Sequence, residues 1–213
     1  MILLVGSEGN MGTRYKRILD FLGRKYSCYD TKLSTSLEEA AEGCDRAIVA
    51  TPTAIHAKSI MDILSVMPSK PILCEKPIDK DLTVLKDILK KCREANSDLR
   101  MVFQYKKVYK DDGLVGPSHY NYFRHGDDSL IWDCIQIIGL SRGTVSLKET
   151  SPMWSCAING QMLKIQHMDW AYVDYISDWL TMPSLCIGPQ EILEIHEKVH
   201  QYINASRFFN GST

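Results

Sequence analysis

The stretch that decides the fold is MILLVGSEGNMG, residues 1–12. Residues 2–5 are a short apolar run, the length of a buried parallel strand, and residues 13–22 predict an amphipathic helix. Glycines between a strand and a helix let the backbone turn and approach a phosphate closely, and the N–H groups at the start of the helix attract an anion. The loop therefore predicts a nucleotide site. Its candidate contacts are Gly6, Gly9, Asn10, Met11 and Gly12.

The spacing of the glycines leaves an ordinary tight turn as the alternative. The usual dinucleotide fingerprint is G-x-G-x-x-G, whereas this loop has one more residue between its first two glycines. The position of the loop, after a strand and before a helix, favours the nucleotide site.

The composition is that of an ordinary globular protein. Of the 213 residues, 45% are apolar and 24% are charged, and the formal net charge is -1. Without a long basic run we expect no nucleic-acid or membrane binding. The apolar N-terminus is too short for a signal peptide, and no stretch approaches the roughly 20 apolar residues of a membrane span. The seven cysteines are dispersed and odd in number, which favours a reduced cytoplasmic protein without a metal site.

Predicted strands and helices alternate along the first half of the chain. Further strands are predicted at residues 26–30, 46–50, 71–74 and 100–105. Helices are predicted at 36–41 and 81–94, and residues 51–56 lead into another helix that runs through residue 66. The helix at 36–41 starts with a capping box, Ser36 and Glu39. This order predicts an α/β fold with a Rossmann-type, doubly wound parallel sheet, whose ligands bind outside the carboxyl ends of the strands.

Asp30 ends the second predicted strand, where a dinucleotide fold places its ribose-binding carboxylate. A carboxylate there accepts hydrogen bonds from the ribose hydroxyls and repels a 2′-phosphate, which favours NAD over NADP. Lys32 is the counterargument, because it would pair with such a phosphate. A strand-end turn aspartate is the alternative role for Asp30.

Three more motifs follow predicted strands: ATPTAIH at residues 50–56, CEKP at 74–77 and FQYK at 103–106. Together with the glycine loop they resemble the glucose–fructose oxidoreductase / inositol dehydrogenase (Gfo/Idh/MocA) family. The resemblance implies an NAD(P)-dependent oxidoreductase that moves hydride between a nicotinamide cofactor and a sugar, nucleotide sugar or related polyol or carbonyl compound.

The resemblance also assigns roles to residues of these motifs. Lys76 becomes the catalytic proton donor or acceptor, Glu75 lies on the cofactor side, and Pro77 follows a cis peptide. The nicotinamide side of the pocket is expected to be lined by Thr51, Pro52, Thr53 and His56. For His56 two roles stay open, a structural hydrogen bond at a helix start and proton transfer.

Residues 1–105 are expected to form the dinucleotide-binding domain and residues 106–213 a smaller α+β domain with a mainly antiparallel sheet. The second domain is short for the family. Its sheet predicts a homodimer or homotetramer. Substrate contacts are expected from Lys76, Lys106, Arg124 and His125.

The second domain departs from the family at one catalytic position. The family carries His-x-x-Asp on a helix; aligning Asp133 with its aspartate puts Leu130 in the histidine position, and aligning on Gly139 puts Ser129 there. Lys76 then works with Asp133 alone, or another histidine (His125 or His167) substitutes, or sugar dehydrogenation has been lost. The last case predicts a non-catalytic dinucleotide-binding or regulatory protein.

Overall fold

The structure, a computed structural model, describes residues 1–104, 106, 122–123, 132, 135–140, 145–150, 153–158, 161–162 and 169–210. The backbone forms two compact units, residues 1–103 with 172–194 and residues 104–171 with 195–213. Across the described ranges we find no helix with the length and apolar character needed to cross a membrane.

The first unit is built on a parallel sheet of five strands in the order β2-β1-β3-β4-β5. Its elements are β1 (Ile2–Val5), α1 (Asn10–Phe21), β2 (Tyr26–Tyr29), α2 (Leu37–Ala41), β3 (Arg46–Val49), α3 (His56–Val66), β4 (Ile72–Cys74), α4 (Leu82–Glu94) and β5 (Leu99–Met101). A short 3₁₀ turn, Thr53–Ile55, precedes α3. The predicted α/β fold with a Rossmann-type parallel sheet is confirmed.

Strand register brings the loops that follow β1, β2 and β3 to the same end of this sheet, the carboxyl end of the strands. Val5 is paired with Tyr29 on one side and with Val49 on the other, so β1, β2 and β3 end level. All four residues of β1 are buried, as the apolar run predicted. The chain reverses its direction of winding between β1 and β3, and ligands of such sheets bind at that switch point.

Two element boundaries differ from the prediction for reasons of packing. Helix α1 begins at Asn10 rather than at residue 13, because Gly12 lies inside its first turn, against the backbone of the preceding loop. Strand β5 ends at Met101 because its partner, β4, ends at Cys74. The capping box that starts α2 is confirmed: the side chain of Ser36 accepts from the backbone N–H of Glu39.

Residues 172–194 pack within the first unit, a feature that the sequence did not suggest. The Tyr175 hydroxyl donates to the Met101 carbonyl at 2.6 Å and accepts from the Ile187 N–H at 2.9 Å. Ile187 also forms an antiparallel bridge with Met101, the last residue of β5. This segment therefore covers part of the edge strand, which would otherwise expose unpaired backbone groups.

In the second unit, β8 pairs antiparallel with β6, β7 and β9. The elements here are β6 (Tyr122–Phe123), α5 (Ile135–Leu140), β7 (Val145–Thr150), β8 (Met153–Ile158) and β9 (Gln161–Met162), and the last helices of the chain are α6 (Asp169–Thr181) and α7 (Pro189–Asn210). Ile158 pairs with Gln161, and residues 159–160 between them lie outside the described ranges. The division at residue 105 and the complete antiparallel domain stay predictions.

Candidate functional site

The glycine loop is held against the loop that follows β3. Gly6 has a positive φ of 85°, and a Cβ on it would lie 2.8 Å from the backbone nitrogen of Thr51. A Cβ on Gly12 would lie 2.1 Å from the carbonyl oxygen of Gly6. Both positions therefore require glycine for the fold itself. Gly9 is different, because a Cβ there would meet only the Gly6 oxygen at 3.6 Å, an ordinary contact. The missing side chain of Gly9 leaves room above the loop.

The N-terminus of helix α1 lies at the space above Gly9 and has no side-chain cap. Its N-cap residue, Gly9, provides no side-chain hydrogen bond, and its first turn contains no acidic residue. By contrast, Ser36 caps α2 and Asp81 caps α4 through side-chain oxygens. The N–H groups and positive dipole end of α1 thus suit an anionic ligand such as a diphosphate.

Asp30 is attached to the glycine loop by backbone hydrogen bonds. Its Oδ2 accepts from the N–H of Glu8 at 3.1 Å, and its Oδ1 accepts from the N–H of Lys32 at 3.1 Å. The carboxylate thus lies at the carboxyl end of β2, next to the loop, where the sequence placed a ribose-binding acid. The second bond is also the turn-aspartate interaction that the sequence offered as the alternative. The Asp30 side chain therefore makes both interactions, one with the glycine loop and one within its own turn.

His56 connects the loop after β3 with the loop after β4. It is 1% exposed, its Nε2 lies 2.7 Å from the Thr51 carbonyl oxygen, and its Nδ1 lies 2.8 Å from that of Pro77. Both ring nitrogens thus face main-chain carbonyls. Of the two roles that the sequence left open for His56, this geometry supports the structural hydrogen bond.

Glu75 and Lys76, neighbours in the CEKP motif, differ in burial. Glu75 is 5% exposed, and its carboxylate accepts from the Tyr15 hydroxyl at 2.6 Å and from the N–H of Lys76 at 3.2 Å. Lys76 is half-buried. The peptide bond between Lys76 and Pro77 is cis, which agrees with the expectation for this motif.

Tyr15 is the site residue that sequence reasoning missed. It is fully buried on α1, and the ring of Tyr172 packs edge-on against it with centroids 6.5 Å apart. The guanidinium carbon of Arg14 lies over the ring of Tyr172, 5.0 Å from its centroid. Burial and then the Glu75 carboxylate raise the pKa of Tyr15 well above its ordinary value, so the hydroxyl stays protonated and donates. The signal in the sequence was a lone hydroxyl on the buried face of α1.

Replacing Tyr15 with Phe tests the buried hydrogen bond. Because the variant leaves Oε1 of the buried Glu75 carboxylate without its Tyr15 donor, we expect the free energy of unfolding to fall by about 1.5–3 kcal/mol, measured by urea denaturation. In a Glu75→Gln background the same replacement is expected to cost less than about 1 kcal/mol, since no charge remains to be satisfied. Equal costs in both backgrounds would show that the hydroxyl does not act through the carboxylate.

The remaining candidates fall largely outside the described residues. Asp133, Arg124 and His125 belong to ranges that the structure does not describe, as does His167, so their roles stay predictions. Lys106 is described and half-buried. In the first unit, the structure brings together the glycine loop, Asp30, and the loops after β3 and β4.

The parallel sheet, its switch point and the glycine loop define a Rossmann-type domain, the class that binds dinucleotides. Residues 14–103 match the GFO_IDH_MocA family, described as an oxidoreductase family with an NAD-binding Rossmann fold. This match confirms the resemblance to the Gfo/Idh/MocA family and the NAD-type cofactor predicted from the sequence. The match begins after Gly12, so the glycine loop is assigned by its geometry.

Solved structures share the fold at low sequence identity. WlbA (WbpB) dehydrogenase from Thermus thermophilus, crystallised with NAD and UDP-GlcNAcA, is 14% identical with a TM-score of 0.65, and the alignment covers 93% of this chain and 92% of that chain. UDP-N-acetylglucosamine 3-dehydrogenase GnnA from Acidithiobacillus ferrooxidans is 11% identical with a TM-score of 0.65, covering 94% of this chain and 95% of that chain. No curated protein sequence matches the chain significantly. At these identities the structural likeness establishes the fold alone.

Proposed function

We propose that the chain is an NAD(P)-dependent oxidoreductase, with NAD as the favoured cofactor, that transfers hydride between the nicotinamide and a sugar, nucleotide sugar or related polyol or carbonyl compound. The observation that carries the proposal is the connection among three loops at the carboxyl end of the sheet. Gly6 packs on Thr51, and His56 joins Thr51 to Pro77. Lys76 is therefore held in the same loop cluster as the dinucleotide loop.

The residues of this cluster fit a dinucleotide along its length. The diphosphate would lie over the loop from Gly6 to Gly12, with Asn10 and Met11 at the uncapped start of α1, and the adenine-side ribose would meet Asp30. The nicotinamide end would lie by Thr51, Pro52, Thr53 and Glu75. The cofactor supplies the hydride acceptor or donor, and the protein supplies the position and the proton transfer.

Lys76 is the proposed proton donor and acceptor. When an alcohol carbon loses hydride, its hydroxyl must also lose a proton, and the amine of Lys76 would take that proton; in the reverse direction its ammonium returns it to the carbonyl oxygen. The Lys76 amide N–H, held by the carboxylate of Glu75, fixes the start of this side chain. Asp133 is proposed as the assisting acid, with Lys106, Arg124 and His125 as further substrate contacts.

The names and bound ligands of the structural relatives suggest which substrates to try first. WlbA was crystallised with UDP-GlcNAcA, and GnnA is a UDP-N-acetylglucosamine 3-dehydrogenase. We expect NAD⁺ to be reduced in the presence of at least one member of a panel of UDP-sugars, free sugars and inositols, followed by NADH absorbance. Tight NADH binding without turnover across the panel would contradict the catalytic proposal.

A non-catalytic dinucleotide-binding or regulatory protein is the second candidate. It is favoured by the position of the family histidine, which Leu130 or Ser129 occupies in this chain. We further propose a cytoplasmic homodimer or homotetramer in which residues 106–213 form the substrate and subunit-contact domain.

A further inference from the structure

The extra residue in the glycine loop has a contact of its own. Glu8 lies between the first two glycines, and its backbone N–H donates to Asp30 at 3.1 Å. The longer spacing therefore brings the glycine loop and the acid at the end of β2 together. The extra residue also brings the Glu8 side chain to the end of the site where Asp30 lies.

The Glu8 carboxylate binds Lys16, a cation of α1. It accepts from the Lys16 ammonium at 2.5 Å and from the Ser7 hydroxyl at 2.9 Å. The side chains of Glu8 and Lys16 are 33% and 27% exposed, so both reach solvent. The hydrogen bond from Lys16, and then the one from Ser7, lower the pKa of Glu8, which keeps the group ionised at neutral pH.

We propose that Glu8 is a specificity residue that acts with Asp30 to exclude the 2′-phosphate of NADP(H). This inference rests on the proposed function, since it assumes that the adenine-side ribose lies at Asp30. A phosphate ester there carries a charge of about -1.5 to -2 and would face two carboxylates. Glu8 also holds the ammonium of Lys16, the cation that would otherwise be available to the phosphate.

Lys32 does not offset this arrangement. Its backbone N–H donates to Asp30, and its side chain is exposed. With Lys16 held by Glu8, an exposed and solvent-screened lysine offers a 2′-phosphate little compensation for the adjacent Asp30 carboxylate, which a ribose with free hydroxyls tolerates.

The test compares the affinity of wild-type protein and Glu8→Gln for NADH and NADPH by isothermal titration calorimetry. We expect the variant to bind NADPH about fivefold more tightly than wild type, because one like charge is removed and Lys16 is released. Its affinity for NADH should change by less than about twofold. Adding Lys16→Met to Glu8→Gln should remove most of the gain in NADPH affinity.

The controls separate this inference from the proposed function. Glu42→Gln removes an exposed carboxylate elsewhere in the first unit and should change neither affinity. Unchanged NADPH affinity in Glu8→Gln with NADH binding intact overturns the role of Glu8 alone, as does a wild-type preference for NADPH. Binding of neither dinucleotide by wild-type protein overturns the proposed function and this inference together.

Discussion

Replacing Lys76 with Met is expected to lower kcat by about 10²- to 10⁴-fold with whichever substrate the panel identifies, which is the usual loss when a positioned general acid–base is removed. The thioether of Met preserves the length and apolar stem of the side chain but cannot carry a proton. Because Lys76 is not among the proposed dinucleotide contacts, the Kd for NADH should stay within about twofold of the wild-type value.

The measurement is steady-state turnover with calorimetric NADH binding beside it. Lys70→Met is the matched control, because Lys70 is an exposed lysine of the same unit, in the turn before β4, and its loss should leave kcat unchanged. Full activity of Lys76→Met would remove Lys76 from the proposed mechanism. An equal loss in Lys70→Met would show that the effect reflects charge or stability instead.

The second large effect is expected from a methyl group on the glycine loop. In Gly12→Ala the new Cβ would lie 2.1 Å from the Gly6 oxygen and 2.6 Å from the Ser7 carbonyl carbon, both backbone atoms. Alanine inside a helix gains about 1 kcal/mol over glycine, whereas overpacking against fixed atoms costs about 1–3 kcal/mol or more. The clash should dominate, so we expect lower stability in urea and at least about a tenfold loss of NADH affinity.

Gly9→Ala is the informative partner of that variant. Its Cβ meets the protein only at an ordinary distance of 3.6 Å, so the free energy of unfolding should stay within about 1 kcal/mol of the wild-type value. The methyl group would occupy the room through which a diphosphate approaches the backbone, and NADH affinity should fall by at least about tenfold. Wild-type affinity in Gly9→Ala would place the cofactor elsewhere, whatever the result for Gly12→Ala.

Local sequence signals predicted the strands of the parallel sheet and the position of Asp30. Apolar runs bounded by glycine, proline and capping residues were sufficient to locate five strands, because each strand is short, buried and followed by a turn. Asp30 was placed correctly beside the glycine loop because parallel strands that start in register also end in register. These inferences needed only the order of elements along the chain.

Contacts between distant residues were not predictable in the same way. The Tyr15–Glu75 hydrogen bond joins residues 60 positions apart and depends on how α1 lies across the sheet. The contact of Tyr175 with Met101 depends on a late segment returning to the edge of the first unit. Nothing in the local pattern around either tyrosine records its partner.

The roles proposed for Glu8 and His56 illustrate the same limit within the site. Glu8 was visible only as an irregularity in the glycine spacing, and its contact with Lys16 emerged from the turn of the loop into α1. His56 was located by its motif, but its two carbonyl partners lie on different loops. The motif fixed the residue type, and the fold determined what that residue contacts.

A thermal-unfolding titration with NAD⁺, NADH, NADP⁺ and NADPH tests the central claim most directly, that the loop from Gly6 to Gly12 binds a dinucleotide. A ligand that binds only the folded state adds about 2.7 kcal/mol of apparent stability at a hundred times its Kd, which is readily measured. We predict a saturating rise in Tm with NAD⁺ and NADH, and a smaller rise with NADP⁺ and NADPH. An unchanged Tm with all four would contradict the account, because the glycine loop would then be a turn and no more.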